Sequence, residues 1–198
     1  MKKFVFIALV LIIVMPAFQS CKKGANDPAI SLKSRKARLC GVWNLTKGSE
    51  VITYSDGTIE SYTYNGTQVV HEKTGQPTET KVYIKQITIN KDETYAFTTT
   101  DDDYQYLDEG AWYFGPKSKE LDLKNKETVC FAQKHYVSIP SGGSTTDIHM
   151  GGTHAVGYPS VWQLDRLASK ELVVLIDEEY SVNSGSYTSK GSMTYEKK

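Results

Sequence analysis

From Gly41 to the end of the chain no segment carries a long helical period. Apolar and polar residues alternate in short runs, and turn signals break these runs every ~8–15 residues. This pattern predicts an all-β domain. Trp43–Tyr54 reads as the first strand, closed by the hairpin signal Ser55-Asp56-Gly57. Thr58–His71 reads as the second, with Tyr62 and Tyr64 on one face, followed by a loop at Thr74-Gly75-Gln76-Pro77. In Lys81–Ile89 the apolar phase changes between Ile84 and Ile87, which predicts a bulge. Glu93–Thr99 places Tyr95, Phe97 and Thr99 on one face, and Asp101-Asp102-Asp103 turns into Tyr104–Phe114. Further strands are expected at Leu121–Leu123, Thr128–Val137, Trp162–Leu164 and Ser192–Tyr195. Leu172–Ile176 is continuously apolar, as in a strand buried on both faces. Ser181–Ser189 reads as a polar turn region. About nine or ten meandering strands must hide their edges, and closure into a single antiparallel barrel does so.

Composition narrows the function classes. The chain has 198 residues, room for one ordinary domain, and its formal net charge is zero. A global pull on nucleic acid is therefore not expected. Thirteen Tyr, three Trp and six Phe favour sheet.

The N-terminus has a different character. Lys2-Lys3 precedes an almost unbroken apolar run, Phe4 to Phe18, which is shorter than the ~20 residues of a spanning helix and matches a signal-peptide core. It ends at Ser20-Cys21. This resembles a bacterial lipobox, a likeness that implies cleavage before Cys21 and a diacylglyceryl group on its sulfur. The division expected is residues 1–20 as signal peptide, 21–38 as lipidated Cys and basic tether with a short helix, and 39–198 as barrel. The tether carries Lys22, Lys23, Lys33, Arg35, Lys36 and Arg38 against the single acid Asp27. It reads as a basic collar on anionic headgroups or as a solvated linker. Asp27-Pro28 is a helix-start signal.

Gly41-Val42-Trp43, behind the helical lead-in, resembles the Gly-x-Trp opener of lipocalins. Together with Ile87 to Tyr95, Gly110-Ala111-Trp112 and Trp162-Gln163-Leu164, the chain is similar to lipocalin-like lipoproteins of Bacteroidetes over roughly residues 30–198. The resemblance implies an antiparallel barrel of about 8–10 strands, plugged at its closed end by Gly41 and Trp43. It also implies an outer-membrane lipoprotein that binds a small apolar or amphipathic molecule. No acidic run follows Cys21, which leans towards the periplasmic side of that membrane. Lipocalins place an Arg of the last strand against the Trp; here that strand offers Lys190, Lys197 and Lys198.

The candidate chemistry is sparse. Tyr62, Tyr64, Tyr95, Phe97, Trp112 and Tyr113 either line a ligand cavity or fill the core. Cys40 and Cys130 are available for a disulfide outside the cytoplasm, or stay as buried thiols. His149 and His154 lie in a Gly-rich stretch, and a metal there would need a further ligand such as Asp147 or His135. The expectation is a solvated loop without metal or other cofactor. Ala132–Ser160, rich in Gly and Ser, is expected to be a long loop, either a lid or a tolerated insertion. Asp101, Asp102, Asp103, Asp108 and Glu109 lack the spacing of a calcium loop, and adjacent Glu178 and Glu179 would point to opposite faces. No Gly-x-Ser-x-Gly, His-Glu-x-x-His or phosphate-loop motif is present, so a non-enzymatic protein is expected. The alternative to a ligand carrier is an interaction subunit of an envelope complex, with a filled barrel.

Overall fold

A computed structural model of the protein describes residues 24–28, 31–150, 160–182 and 185–198. The apolar run Phe4–Phe18, Cys21 and His154 lie outside this set. The fold is a closed antiparallel barrel of ten strands, as the alternation predicts. Among the described residues one short helix, α1 (Arg35–Leu39), precedes eleven strands: β1 (Gly41–Tyr54), β2 (Ile59–Tyr64), β3 (Gln68–Lys73), β4 (Glu79–Ile89), β5 (Thr94–Asp101), β6 (Tyr104–Phe114), β7 (Thr128–Pro140), β8 (Thr146–His149), β9 (Ser160–Leu167), β10 (Glu171–Val182) and β11 (Gly185–Lys197). Neighbouring strands pair in the order β6-β5-β4-β3-β2-β1-β11-β10-β9-β7, and β6 closes on β7. β8 hangs on the free edge of β7.

The two ends of the barrel differ in width for a local reason. At the closed end β1 pairs directly with β4, Trp43 opposite Ile87. Higher up the β2–β3 hairpin is wedged between them, β2 on β1 and β3 on β4. Its tip is Asn65-Gly66-Thr67. The Asn65 carboxamide oxygen accepts from the backbone N–H groups of Thr67 and Gln68, and Gly66 has φ +94°. The wedge stops there because Gly66 lies against the carbonyls of Leu45 and Thr46. Thr58–His71 is therefore two strands, and the Asn-Gly pair is the turn signal that divides them.

The closed half is packed solid. Trp43, Leu45, Ile87, Ile89, Tyr95, Trp112, Phe131, Leu164, Leu167, Leu172 and Tyr195 are buried in one cluster. Each such side chain contributes roughly 1.5–3 kcal/mol by leaving water. Both buried indoles are satisfied: Trp43 Nε1 donates to the Leu39 carbonyl at 2.7 Å and Trp112 Nε1 to the Asn90 carbonyl at 2.9 Å.

α1 caps this end, with Ser34 as its N-cap accepting from the Ala37 N–H. Asp27 does not start a helix. It is buried, accepts from the Leu167 N–H at 2.7 Å and pairs with Arg35 and Arg38. Arg38, also buried, donates to the Leu167 carbonyl at 2.7 Å. Two of the expected collar cations are thus structural, and the lead-in is part of the folded body. Lys197 completes the cap. Its ammonium sits 4.7 Å from the Trp43 ring centroid and donates to the carbonyls of Arg38 and Cys40 at 2.6 and 2.7 Å. Gly41, at φ +147°, lies beneath that lysine stem, and a Cβ there would fall 2.5 Å from Lys197 Cε.

Other expectations are corrected. β4 shows no bulge in its pairing: Ile84 is on the outer face and exposed, while Tyr83, Lys85, Ile87 and Ile89 share the inner one. Leu121–Leu123 is a loop held by a single bridge, Ser118 to Leu123. β10 alternates, with Leu172 and Val174 buried and Val173 and Leu175 half-buried, so it is not covered on both faces. Ser181–Ser189 falls largely within the long β10–β11 hairpin. The Ala132–Ser160 stretch is mostly strand in its first half, because β7 runs to Pro140 and β8 follows.

Candidate functional site

Above the aromatic floor the barrel interior changes character. The inward positions are now Glu50, Glu60, Tyr62, Tyr83, Lys85, Thr99, Asp101, Tyr106, Asp108 and Tyr136, a wall of phenols and charges. Strand alternation puts them there: each is an even number of residues along its strand from a buried floor residue, or lies opposite one that is.

Three adjoining hollows occupy this half. One of about 320 Å³ is lined by Tyr83, Lys85, Phe97, Thr99, Asp101, Tyr106, Asp108 and Tyr136. A second of about 300 Å³ shares Tyr83, Asp101 and Tyr106 with it and reaches Tyr62, Tyr64 and Val69. A third of about 170 Å³ shares Lys85 and runs past Glu50, Trp162, Val174 and Tyr195. A fourth hollow, about 800 Å³, lies on the flank where β9 begins and β10 continues upward, between Leu121, Leu123, Val161 and Glu179. Ser160, Gln163 and Asp177 also line it.

Lys85 is the focus of the interior. Its ammonium stands 5.8 Å from the Phe97 centroid and 5.7 Å from that of Trp162, two rings stacked at 5.3 Å with 5° between their planes. Asp108 and Glu50 act on it electrostatically, but among the described residues no carboxylate forms an ion pair with it. Both acids are occupied elsewhere. Asp108 accepts from the Tyr95 hydroxyl at 2.8 Å, and Glu50 from the Ser189 hydroxyl at 2.6 Å.

Enclosure tunes these groups. Burial lowers the Lys85 pKa and raises that of Asp108, since each loses hydration of its charged form. Burial also pushes the Tyr83 phenol up to about 12, and lifts Tyr62 and Tyr95 further with help from Glu60 and Asp108. The phenols are therefore neutral donors at physiological pH. Near the rim Glu60 gathers Lys73 at 2.6 Å, the Tyr62 hydroxyl at 2.8 Å and His71, whose ring stacks on Tyr62 at 4.5 Å.

The six aromatic candidates separate. Tyr62 and Tyr64 border the cavity and Phe97 forms its floor. Tyr95 and Trp112 are spent on the core. Tyr113 is half exposed on the outer face, because it follows Trp112 on the strand and must point the other way. Lys85, Asp108, Tyr83 and Tyr106 were not among the expected lining residues; their even spacing from Ile87, Phe97 and Trp112 was the available signal.

Cys40 and Cys130 are free thiols. Cys40 Sγ contacts the Asn90 carbonyl and Cys130 faces the Tyr113 hydroxyl, so of the two alternatives the sequence leaves open the structure has the unpaired thiols. Asp101 and Asp102 are committed to the β5–β6 turn, accepting from the backbone N–H groups of Asp103, Tyr104 and Val82.

On the outer face the β6-β7-β8 register aligns Glu109 with His135 and His135 with His149. Asp147 lies two residues along β8 from His149. His135 Nδ1 is 2.9 Å from Glu109, and its Nε2 is 3.0 Å from Asp147. These carboxylates raise the His135 pKa. The sequence offers Asp147 or His135 as a further ligand to His149 and His154 and favours a solvated loop; only the strand register brings both of them to His149.

No protein family, curated protein or solved structure matches this chain.

Proposed function

We propose that this chain is an envelope-anchored lipoprotein whose lipocalin-like barrel holds a small amphipathic molecule in its open half. The observation that carries the reading is Lys85, a cation kept inside the barrel with no ion pair among the described residues, directly above a flat aromatic floor. Such a group costs stability and packs no core, which marks it as a contact for something else. An apolar or ring-bearing part of the ligand would rest on Phe97 and Trp162. Its polar part would meet Lys85, Asp108 and the phenols of Tyr83, Tyr106 and Tyr136. Of the apolar and amphipathic ligands the sequence leaves open, the polar wall favours an amphiphile.

The anchor rests on Lys2-Lys3, the Phe4–Phe18 run and Cys21. Gly24 to Asp27 dock on the closed end, the Asn26 N–H donating to the Asp165 carbonyl at 2.9 Å. Three residues span at most about 11 Å, so an acylated Cys21 would hold the closed end near the bilayer and the mouth away from it. The solid closed half also suits the second reading, a subunit whose barrel serves only as a scaffold for an envelope partner.

Native mass spectrometry of protein extracted from its host membranes tests both. The expected result is a small-molecule adduct, lost in Tyr106→Trp, which fills the cavity. A barrel without an adduct but carrying a stoichiometric protein partner would replace the first reading with the second. Cys21→Ser should move the protein from the membrane to the soluble fraction; a variant that stays on membranes refutes the anchor.

A further inference from the structure

The β7–β8 hairpin carries a constellation that the ligand cup does not use. His135 and His149 are cross-strand partners with their rings face to face, centroids 4.1 Å apart and planes 3° apart. One oxygen of Asp147 lies 3.0 Å from His135 Nε2 and 3.3 Å from His149 Nε2. One donor atom from each of the three residues falls within 4.8 Å of the others. In a tetrahedral zinc site with ligand distances near 2.0–2.1 Å, donor atoms are separated by about 3.3 Å. Two of the three edges already have that length.

The hydrogen bonding points the same way. His135 Nδ1 lies 2.9 Å from the Glu109 carboxylate, which can only accept, so this nitrogen carries the proton. In the neutral ring Nε2 is then a lone pair, and it faces an oxygen lone pair of Asp147 at 3.0 Å. Two acceptors at that separation repel unless a proton or a metal cation lies between them. A carboxylate that orients a histidine through its outer nitrogen is also how metal-binding imidazoles are commonly held.

We propose that His135, Asp147 and His149 bind a borderline divalent cation of the zinc class, with Glu109 orienting His135 and solvent completing the coordination. Two imidazoles and one carboxylate suit Zn²⁺ or Cu²⁺ better than Ca²⁺ or Mg²⁺, which prefer all-oxygen shells. The parallel rings would tilt towards each other to close the third edge. β8 is four residues long and paired only to β7 among the described strands, so the ion would clamp it in place.

The test is calorimetric titration of the full-length, detergent-solubilised, tag-free protein with Zn²⁺ at pH 7.5, with Co²⁺ absorption as the spectroscopic readout. One equivalent should bind, and Co²⁺ should give the intense visible bands of four-coordination. His149→Ala and His135→Ala should each weaken binding by at least tenfold, and Glu109→Gln by about tenfold, with circular dichroism unchanged. His149 is largely exposed, so its loss does not threaten folding. His71→Asn, inside the barrel, should bind as the wild type does. The proposal is overturned if no saturable binding occurs, which would leave a protonated His135 between two acids as the cation of the row. It is equally overturned if His149→Ala binds undiminished, or if His71→Asn abolishes binding.

Discussion

Replacing Lys197 by Met keeps the stem and removes the ammonium from the cap over Trp43. Two charge-assisted hydrogen bonds to the carbonyls of Arg38 and Cys40 disappear, together with the cation–π contact at 4.7 Å. Hydrogen bonds to a charged group contribute roughly 1.5–3 kcal/mol each, and the ring contact about 0.5–2 kcal/mol. These terms are not additive, and burial opposes them, lowering the Lys197 pKa because the ammonium is partly desolvated. The expected net loss is therefore about 2–3 kcal/mol, or roughly 4–12 °C in Tm for a chain of this size. Urea unfolding followed by tryptophan fluorescence reads it directly, since Trp43 is the ring that loses its cover. Lys197→Arg retains a cation and donors and should recover at least half of the loss. If Lys197→Met unfolds within 0.5 kcal/mol of wild type, the cap is decoration and the closed end is held by apolar packing alone.

Gly41→Ala should cost about 1–3 kcal/mol in the same assay, because φ +147° strains any side chain and the new Cβ would strike Lys197 Cε. Lys85→Met should raise the unfolding midpoint at pH 7, since it removes a desolvated ammonium that has no ion pair among the described residues. The Lys85 pKa is lowered on folding, so the unfolded chain binds more protons between the folded value and 10.5. Wild-type stability therefore rises with pH through that window, and the advantage of Met should shrink there and vanish above it; a constant advantage would show that Lys85 is not desolvated. Non-reducing alkylation in denaturant followed by intact mass should find Cys40 and Cys130 both modified, and an unmodified pair would restore the disulfide.

Much of the barrel was legible because alternation is a local signal. Tyr95, Phe97 and Thr99 share a face wherever β5 ends up, and Trp112 and Tyr113 must diverge. Misreadings arose where a local signal had two meanings. Asn65-Gly66 sits inside a run rich in β-formers, and the run hid the turn. Asp27-Pro28 looks like a helix start, yet the carboxylate is taken by Leu167, distant in sequence, and by Arg35. Arg35 and Arg38 read as surface charge because composition carries no information about which cations a neighbouring strand end will bury.

The sequence by itself determined the strand class, the turn positions marked by Asp-Gly and Gly-Pro, and the inner face of regularly alternating strands such as β5, since these depend on residues a few positions apart. Only the tertiary structure decided which strands meet and at what register. That register placed the ammonium of Lys85 over the Phe97–Trp162 stack and drew Glu109, His135, His149 and Asp147 into one row. The reason is that pairing is fixed by closing the whole ring and filling its floor at once, a condition no single segment encodes.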